Sequence, residues 1–191
     1  MTMKSFVPAV ALVLLISAGA CASPLPTLSL IPSSGTVAGF AGAVVGWGYD
    51  VTNPDPSDWV VLTDTFVDGS LASGTYGNYV DYIGATTGIV IDPSSTTGDV
   101  AFSQGVAGAG EFDIDRFAPA VKITGDINID YAVFSQDPNS PSFDPSSFLS
   151  AGTLTAAAEV DVTPEPASVL LMSAALLPLV FAARRRARRH S

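Results

Sequence analysis

The sequence contains one cysteine and one histidine among its 191 residues. This scarcity argues against a disulfide framework and against a Cys/His zinc site, because both need several such side chains. Ser-His-Asp and Cys-His catalysis also need a histidine beside the nucleophile, and the single histidine is the penultimate residue, His190. Basic residues are few as well: 8 stand against 18 acidic residues, which gives a formal net charge of −10.

The first 22 residues have the composition of an export signal. Lys4 supplies a positive start, residues 6–17 form a nearly continuous apolar run, and Ala20-Cys21-Ala22 closes the segment with small residues. This order predicts a signal peptide over residues 1–22, with Ala20 and Ala22 marking cleavage before Ser23, and transport by the general secretion machinery. A membrane-spanning anchor is the alternative, but the run is shorter than the roughly 20 residues that a span needs.

Cys21 allows a second interpretation. The segment that ends at Cys21 is close to a lipoprotein box, in which the cysteine becomes a lipidated N-terminus. Such a box usually has a branched aliphatic residue at the position of Ala18. Without lipidation, Cys21 leaves with the signal peptide, and the mature protein has neither a thiol nor a disulfide.

The C-terminus is a second distinct segment. Residues 167–183 form an apolar run that would be about 25 Å long as a helix, a short span for a bilayer core about 30 Å thick. Pro178 should kink this helix. A basic cluster follows, made of Arg184, Arg185, Arg186, Arg188 and Arg189. By the positive-inside rule we expect the arginines to stay cytoplasmic, which places the preceding domain outside.

Pro164, Glu165 and Pro166 stand directly before this run. Pro-Glu-Pro, a short apolar helix and a terminal arginine cluster together resemble the PEP-CTERM sorting signal over residues 163–189. The resemblance implies processing by a membrane-embedded exosortase of a Gram-negative bacterium, after transient anchoring in the inner membrane. It further implies display at the cell surface or release into an extracellular matrix, often one rich in exopolysaccharide. It implies nothing about the chemistry of the central domain.

The middle of the chain, residues 23–162, is predicted to be one acidic extracytoplasmic domain. It contains two basic residues, Arg116 and Lys122, and 17 acidic residues, so its formal charge is −15. Such a surface repels phosphate backbones, and nucleic acid is therefore not an expected partner. Cations, basic proteins and neutral glycans stay open as partners.

Val, Ile, Thr and aromatic residues are common in this domain, and Gly, Pro, Asp and Asn interrupt them at short intervals. This pattern is typical of strands joined by turns. We therefore predict an all-β fold: an antiparallel β-sandwich of about eight strands, flanked by the N-terminal signal helix and the C-terminal transmembrane helix. A parallel sheet is disfavoured because no helical crossover segments lie between the strands. The predicted strands are residues 36–52 with a break near Gly42, 59–63, 79–82, 88–91, 100–104, 110–114, 121–134 and 153–161.

Three aromatic residues on predicted strands, Trp47, Tyr49 and Trp59, have two interpretations. As a binding site they would form a platform on which sugar rings stack, in contact with extracellular polysaccharide. As structural residues they would pack in the core, which is the commoner fate of Trp and Tyr on strands. The core interpretation is favoured.

Asp126, Asn128 and Asp130 alternate with isoleucines, which places the three polar side chains on one face of a strand. The spacing imitates the start of an EF-hand loop, but Tyr131 stands where that loop requires glycine, so an EF-hand is rejected. A looser Ca²⁺ site, formed by these residues between strands or in the loop 137–144, is the one cofactor that the sequence suggests. The plain alternative is a solvated strand face.

No motif selects a catalytic pair of carboxylates or a phosphate-binding loop, and we do not predict an enzyme. Two functions remain. The first is a structural or adhesive component of the cell surface or extracellular matrix. The second is a carbohydrate-binding module for extracellular polysaccharide.

Overall fold

The computed structural model describes residues 24–86 and 88–164. The signal peptide with Ala20, Cys21 and Ala22, the motif residues Glu165 and Pro166, the C-terminal apolar run and the arginine cluster lie outside the described residues. The two flanking helices therefore stay predictions. None of the helices within residues 24–86 and 88–164 has the length and hydrophobicity that a membrane span requires.

The described residues form ten strands and two 3₁₀ helices. The strands are β1 (Thr27–Ile31), β2 (Thr36–Phe40), β3 (Val44–Asn53), β4 (Trp59–Val67), β5 (Gly77–Asp81), β6 (Ile89–Ile91), β7 (Ser95–Thr96), β8 (Gly110–Ile114), β9 (Lys122–Phe134) and β10 (Phe148–Thr163). The 3₁₀ helices are Leu71–Ser73 and Pro145–Ser147.

Hydrogen bonds join these strands into two sheets. Sheet I has the order β1-β3-β8-β5, with the short β7 paired to β3. Sheet II has the order β2-β10-β9-β4-β6. The prediction of an all-β fold is confirmed, and the number of strands is ten rather than about eight.

One pair departs from the predicted antiparallel arrangement. β2 and β10 are parallel, with Thr36 opposite Glu159 and Phe40 opposite Thr163. A parallel pair needs a long connection, and here nearly the whole domain between Phe40 and Phe148 provides it. The sequence offered no helical crossover because the connection is made of strands.

The predicted strand 100–104 is wrong. This segment makes isolated bridges at Val100 and Ser103 instead of a ladder. It passes close over β3, where a β-carbon on Gly48 would lie 2.4 Å from the Val100 carbonyl oxygen. Two strands that were not predicted, β1 and β7, pair with β3 on sheet I.

Both sheets contribute side chains to one hydrophobic core. Trp47 and Phe112 enter it from sheet I, and Leu62, Ile127 and Ile129 enter it from sheet II, all with 0% exposure. Alternation along each strand places these residues on the inner face. Each contributes about 1.5–3 kcal/mol through the removal of apolar surface from water.

Strand β10 defines the two ends of the domain. It runs for 16 residues, which is roughly 50 Å at about 3.3 Å per residue. We call the end at Phe148 the distal end, and the end at Thr163 the base. Residues 24–26 line a small cavity with Leu149 near the distal end, whereas the described chain leaves the fold at Pro164, at the base.

Candidate functional site

Two of the three predicted glycan contacts lie in the core. Trp47 is 0% exposed and Tyr49 is 2% exposed, so neither ring offers a face to a sugar. The indole Nε1 of Trp47 donates a hydrogen bond of 2.7 Å to the carbonyl of Gly35, and burial raises the pKa of Tyr49. The prediction of glycan contact is wrong for these two residues, because the alternation of β3 directs both inward.

Trp59, unlike Trp47 and Tyr49, lies outside the core. It begins β4, is partly exposed, and alternates with the buried Val60 and Leu62, so its side chain lies on the outer face of sheet II. In the strand register Trp59 is opposite Phe134 of β9, and Phe134 is opposite Phe148 of β10. A row of three aromatic side chains therefore crosses three neighbouring strands on one face.

A fourth ring joins this row from the loop between β9 and β10. The centroids of Phe134 and Phe143 are 5.3 Å apart with an interplanar angle of 74°, and those of Phe134 and Phe148 are 5.9 Å apart at 71°. These are the edge-to-face geometries that aromatic pairs favour. We call Trp59, Phe134, Phe143 and Phe148 the distal aromatic cluster, and it is the candidate functional site.

Local hydrogen bonds hold the loop that carries Phe143. The Asp144 carboxylate accepts from the backbone N–H of Ser146 at 2.9 Å, and this bond lowers the pKa of Asp144. Asp137 accepts from the N–H of Asn139 at 2.8 Å, and Gln136 accepts from the N–H of Asp144 at 3.1 Å. The loop 137–144 thus uses its carboxylates to bind its own backbone.

Asp126, Asn128 and Asp130 share one face of β9, as the alternation predicts, and two of them accept hydrogen bonds from threonines of β10. Thr155 donates to Asn128 Oδ1 at 2.8 Å and Thr153 donates to Asp130 Oδ1 at 2.5 Å. In the part of the chain that the structure describes, no group of three acidic, histidine or cysteine side chains is placed to hold a metal. These residues form a hydrogen-bonded polar row, and the Ca²⁺ site between strands or in the loop 137–144 stays a prediction.

A carboxylate pair that the sequence did not indicate joins the two sheets. Asp64 of β4 and Asp81 of β5 converge at Gly84, where an added β-carbon would lie 2.2 Å from Asp81 Oδ2 and 2.6 Å from Asp64 Oδ1. Asp81 accepts from Thr65 Oγ1 at 2.5 Å and from the Gly84 N–H at 2.7 Å. A hydrogen bond with Asp81 raises the pKa of Asp64, and desolvation and then repulsion by Asp81 raise it further. Because Thr65 of sheet II donates to Asp81 of sheet I, we assign the pair a structural role.

The raised pKa of Asp64 predicts a pH effect on stability. The folded state binds the proton of the Asp64 carboxyl more tightly than the unfolded state does. The stability that this proton contributes is complete below the pKa of Asp64 in the unfolded state, and it is lost as the pH rises through the pKa in the folded state. Asp64→Asn should therefore raise the Tm at pH 7, by an amount kept small by solvent exposure, and raise it less at pH 4. Thermal unfolding followed by circular dichroism measures this. Asp99→Asn, which removes one exposed negative charge elsewhere, is the control, and equal effects of both variants would contradict the paired geometry.

No family model matches the chain, and no curated protein matches it. Two chains of solved structures match. One belongs to the crystal structure of a complex of CaDoc0917 with CaCohA2; it is 14% identical, the match covers 73% of this chain and 100% of that one, and the TM-score is 0.24. A TM-score this low carries no argument about function.

Proposed function

We propose that the protein is an exported, exosortase-sorted component of the cell surface or extracellular matrix, with a structural or adhesive role. The observation that carries the proposal is the position of the distal aromatic cluster. It lies at the opposite end of β10 from Pro164, which is exposed and begins the Pro-Glu-Pro motif. A domain held at its base would present this cluster about 50 Å away from the membrane.

The distal end is apolar as well as aromatic. Phe148 is 50% exposed, Leu149 is 52% exposed and Leu25 is 73% exposed. Contiguous apolar surface of this kind marks an interaction site in soluble domains. The domain's net charge of −15 repels other acidic surfaces, so apolar burial has to supply the attraction at this end.

A carbohydrate-binding module is the alternative, and Trp59 favours it. Its ring is partly exposed on a sheet face, where a sugar can stack. The rings beside it favour the adhesive role instead. Interplanar angles of 74° and 71° give successive rings different orientations, so they do not form one flat platform for a polysaccharide chain.

Replacing Phe148 tests the adhesive role. We expect Phe148→Ser to weaken attachment of cells roughly tenfold, because loss of one central aromatic contact typically costs about 1–2 kcal/mol. The measurement is attachment and matrix retention of a strain that carries the variant in place of the native chain. Cell fractionation and the mass of the mature protein establish that export and processing are unchanged.

Phe66→Ser is the matched control, because Phe66 is 42% exposed on the same sheet but pairs with Asn128, outside the cluster. Attachment should be normal in this strain. Normal attachment of the Phe148→Ser strain, with normal surface amounts, would contradict the adhesive role. Binding of purified extracellular polysaccharide that is abolished by Trp59→Ala and kept by Phe148→Ser would favour the carbohydrate-binding module.

A further inference from the structure

The base of the domain carries a second apolar surface that the adhesive role does not use. Phe117 is 78% exposed in the loop after β8, and Phe40 is 48% exposed at the end of β2. The guanidinium carbon of Arg116 lies 4.7 Å from the centre of the Phe117 ring. We call Phe40, Arg116 and Phe117 the base patch. Two exposed phenylalanines at one end of an acidic domain indicate a surface that another phase or molecule covers.

The base patch begins beside the point where the chain leaves the fold. Phe40 lies opposite Thr163, the last residue of β10. The turn after Phe40 contacts the loop that carries Arg116: the N–H of Gly42 donates to the carbonyl of Ile114 at 3.1 Å, and a β-carbon on Gly42 would lie 3.7 Å from Arg116 Cβ. A membrane or molecule that contacts the chain just after Pro164 therefore also lies next to the base patch.

The connection from the base to the apolar C-terminal run is short. Four residue steps separate Thr163 from Ala167, where the run begins. Fully extended, they span at most about 14 Å. The headgroup region on each side of a hydrocarbon core is about 5–7 Å thick. With the run in the bilayer, the end of β10 lies within about 10 Å of the headgroups, and the loops beyond the strand ends lie closer.

We propose that the base patch rests in the headgroup region of the membrane while the sorting tail is inserted, an inference that depends on the membrane insertion contained in the proposed function. Phenylalanine rings gain free energy by leaving water for the boundary between headgroups and acyl chains. Arg116 reaches lipid phosphate from the same loop. The contact holds the domain upright and keeps Pro164 at the membrane surface, where a membrane-embedded processing enzyme can reach the motif.

Charge attraction is not the main source of this contact. Both basic residues of the domain, Arg116 and Lys122, lie at the base, but Lys122 is paired with Glu159 at 2.7 Å. Acidic groups at the same end are Asp113, Asp115, Glu159 and Asp161. Since acids outnumber bases here, burial of the rings provides the binding, and the contact should persist at high salt.

The test uses the mature chain, residues 23–191, which contains no cysteine, reconstituted in phosphatidylethanolamine–phosphatidylglycerol vesicles. A single cysteine is introduced by Ala120→Cys beside the base patch, by Ser142→Cys beside the distal aromatic cluster, or by Ser173→Cys in the tail, and carries an environment-sensitive fluorophore. A lipid with a nitroxide near the top of its acyl chain is the quencher. We expect fluorescence to fall by about half at positions 120 and 173 and to stay unchanged at position 142. The quencher reaches probes within the roughly 5–10 Å depth of an interfacial contact.

The outcomes separate the two proposals. Quenching at position 173 without quenching at position 120 would overturn the membrane contact and leave the sorting role standing. Absence of quenching at position 173 would overturn both. Equal quenching at positions 120 and 142 would show a domain lying flat and would also overturn the contact. Adding Phe117→Ser to the Ala120→Cys chain should remove most of the quenching at position 120 in 1 M salt as well as at low salt, and persistence of the signal would count against the role of the ring.

Discussion

Trp47→Ala should lower the free energy of unfolding by about 3–5 kcal/mol, a large part of the 5–15 kcal/mol that stabilises an ordinary domain. The side chain is completely buried between the sheets, and its removal leaves a cavity that the strands cannot close. It also removes the indole N–H that donates to the carbonyl of Gly35 at 2.7 Å, which leaves the Glu159 N–H as the donor to that carbonyl. Urea denaturation followed by circular dichroism measures the change.

Two variants separate the causes of this loss. Trp47→Phe keeps most of the apolar volume but lacks the indole N–H, and should cost about 1–3 kcal/mol for the lost hydrogen bond and the smaller ring. Trp59→Ala removes the same residue type from the partly exposed outer face, and should cost about 1 kcal/mol or less. Similar losses for Trp47→Ala and Trp59→Ala would contradict the assignment of one ring to the core and the other to the surface.

The contrast between these tryptophans shows what the pattern of the sequence can determine. The usual burial of tryptophan on strands favoured the core for both, which is correct for Trp47 and wrong for Trp59, because Trp59 lies partly exposed on the outer face. The strand over 110–114 and the break near Gly42 could also be read from composition and turn residues. Such features depend on neighbours in the chain, which the sequence displays directly.

The distal aromatic cluster depends on register, which the sequence does not display. Phe134 and Phe148 come from strands joined by a 13-residue loop, and Trp59 lies 75 residues before Phe134 in the chain. Hydrogen-bond pairing of β4, β9 and β10 places the three in one row. A shift of one residue would direct them to the opposite face. The carboxylate pair of Asp64 and Asp81 could not be predicted from the sequence for the same reason, because its two members lie in different sheets.

The second large effect is expected at Gly35, in the turn that leads into β2. Its φ of +67° lies in the left-handed region, where a side chain costs about 1–2 kcal/mol. A β-carbon there would also lie 2.1 Å from the carbonyl oxygen of Ala157, a backbone atom in the middle of β10. Because β10 is bonded to strands on both sides, it cannot move away without disturbing two ladders. Gly35→Ala should therefore lower the free energy of unfolding by at least about 3 kcal/mol.

Gly74→Ala separates the cost of the left-handed backbone conformation from the cost of the contact with β10. Gly74 has the same φ of +67°, but nothing lies within 4 Å of its added β-carbon, so this variant should lose only the backbone term of about 1–2 kcal/mol. Urea denaturation of both variants gives the difference, which measures the contact between the turn and β10. The Gly35 carbonyl accepts from the Trp47 indole at 2.7 Å and from the Glu159 N–H at 3.0 Å, so displacing this turn also weakens both bonds. Equal losses at the two glycines would mean that the close approach of the turn to β10 is absent, and with it the link that ties the parallel β2–β10 pair to the core of sheet I.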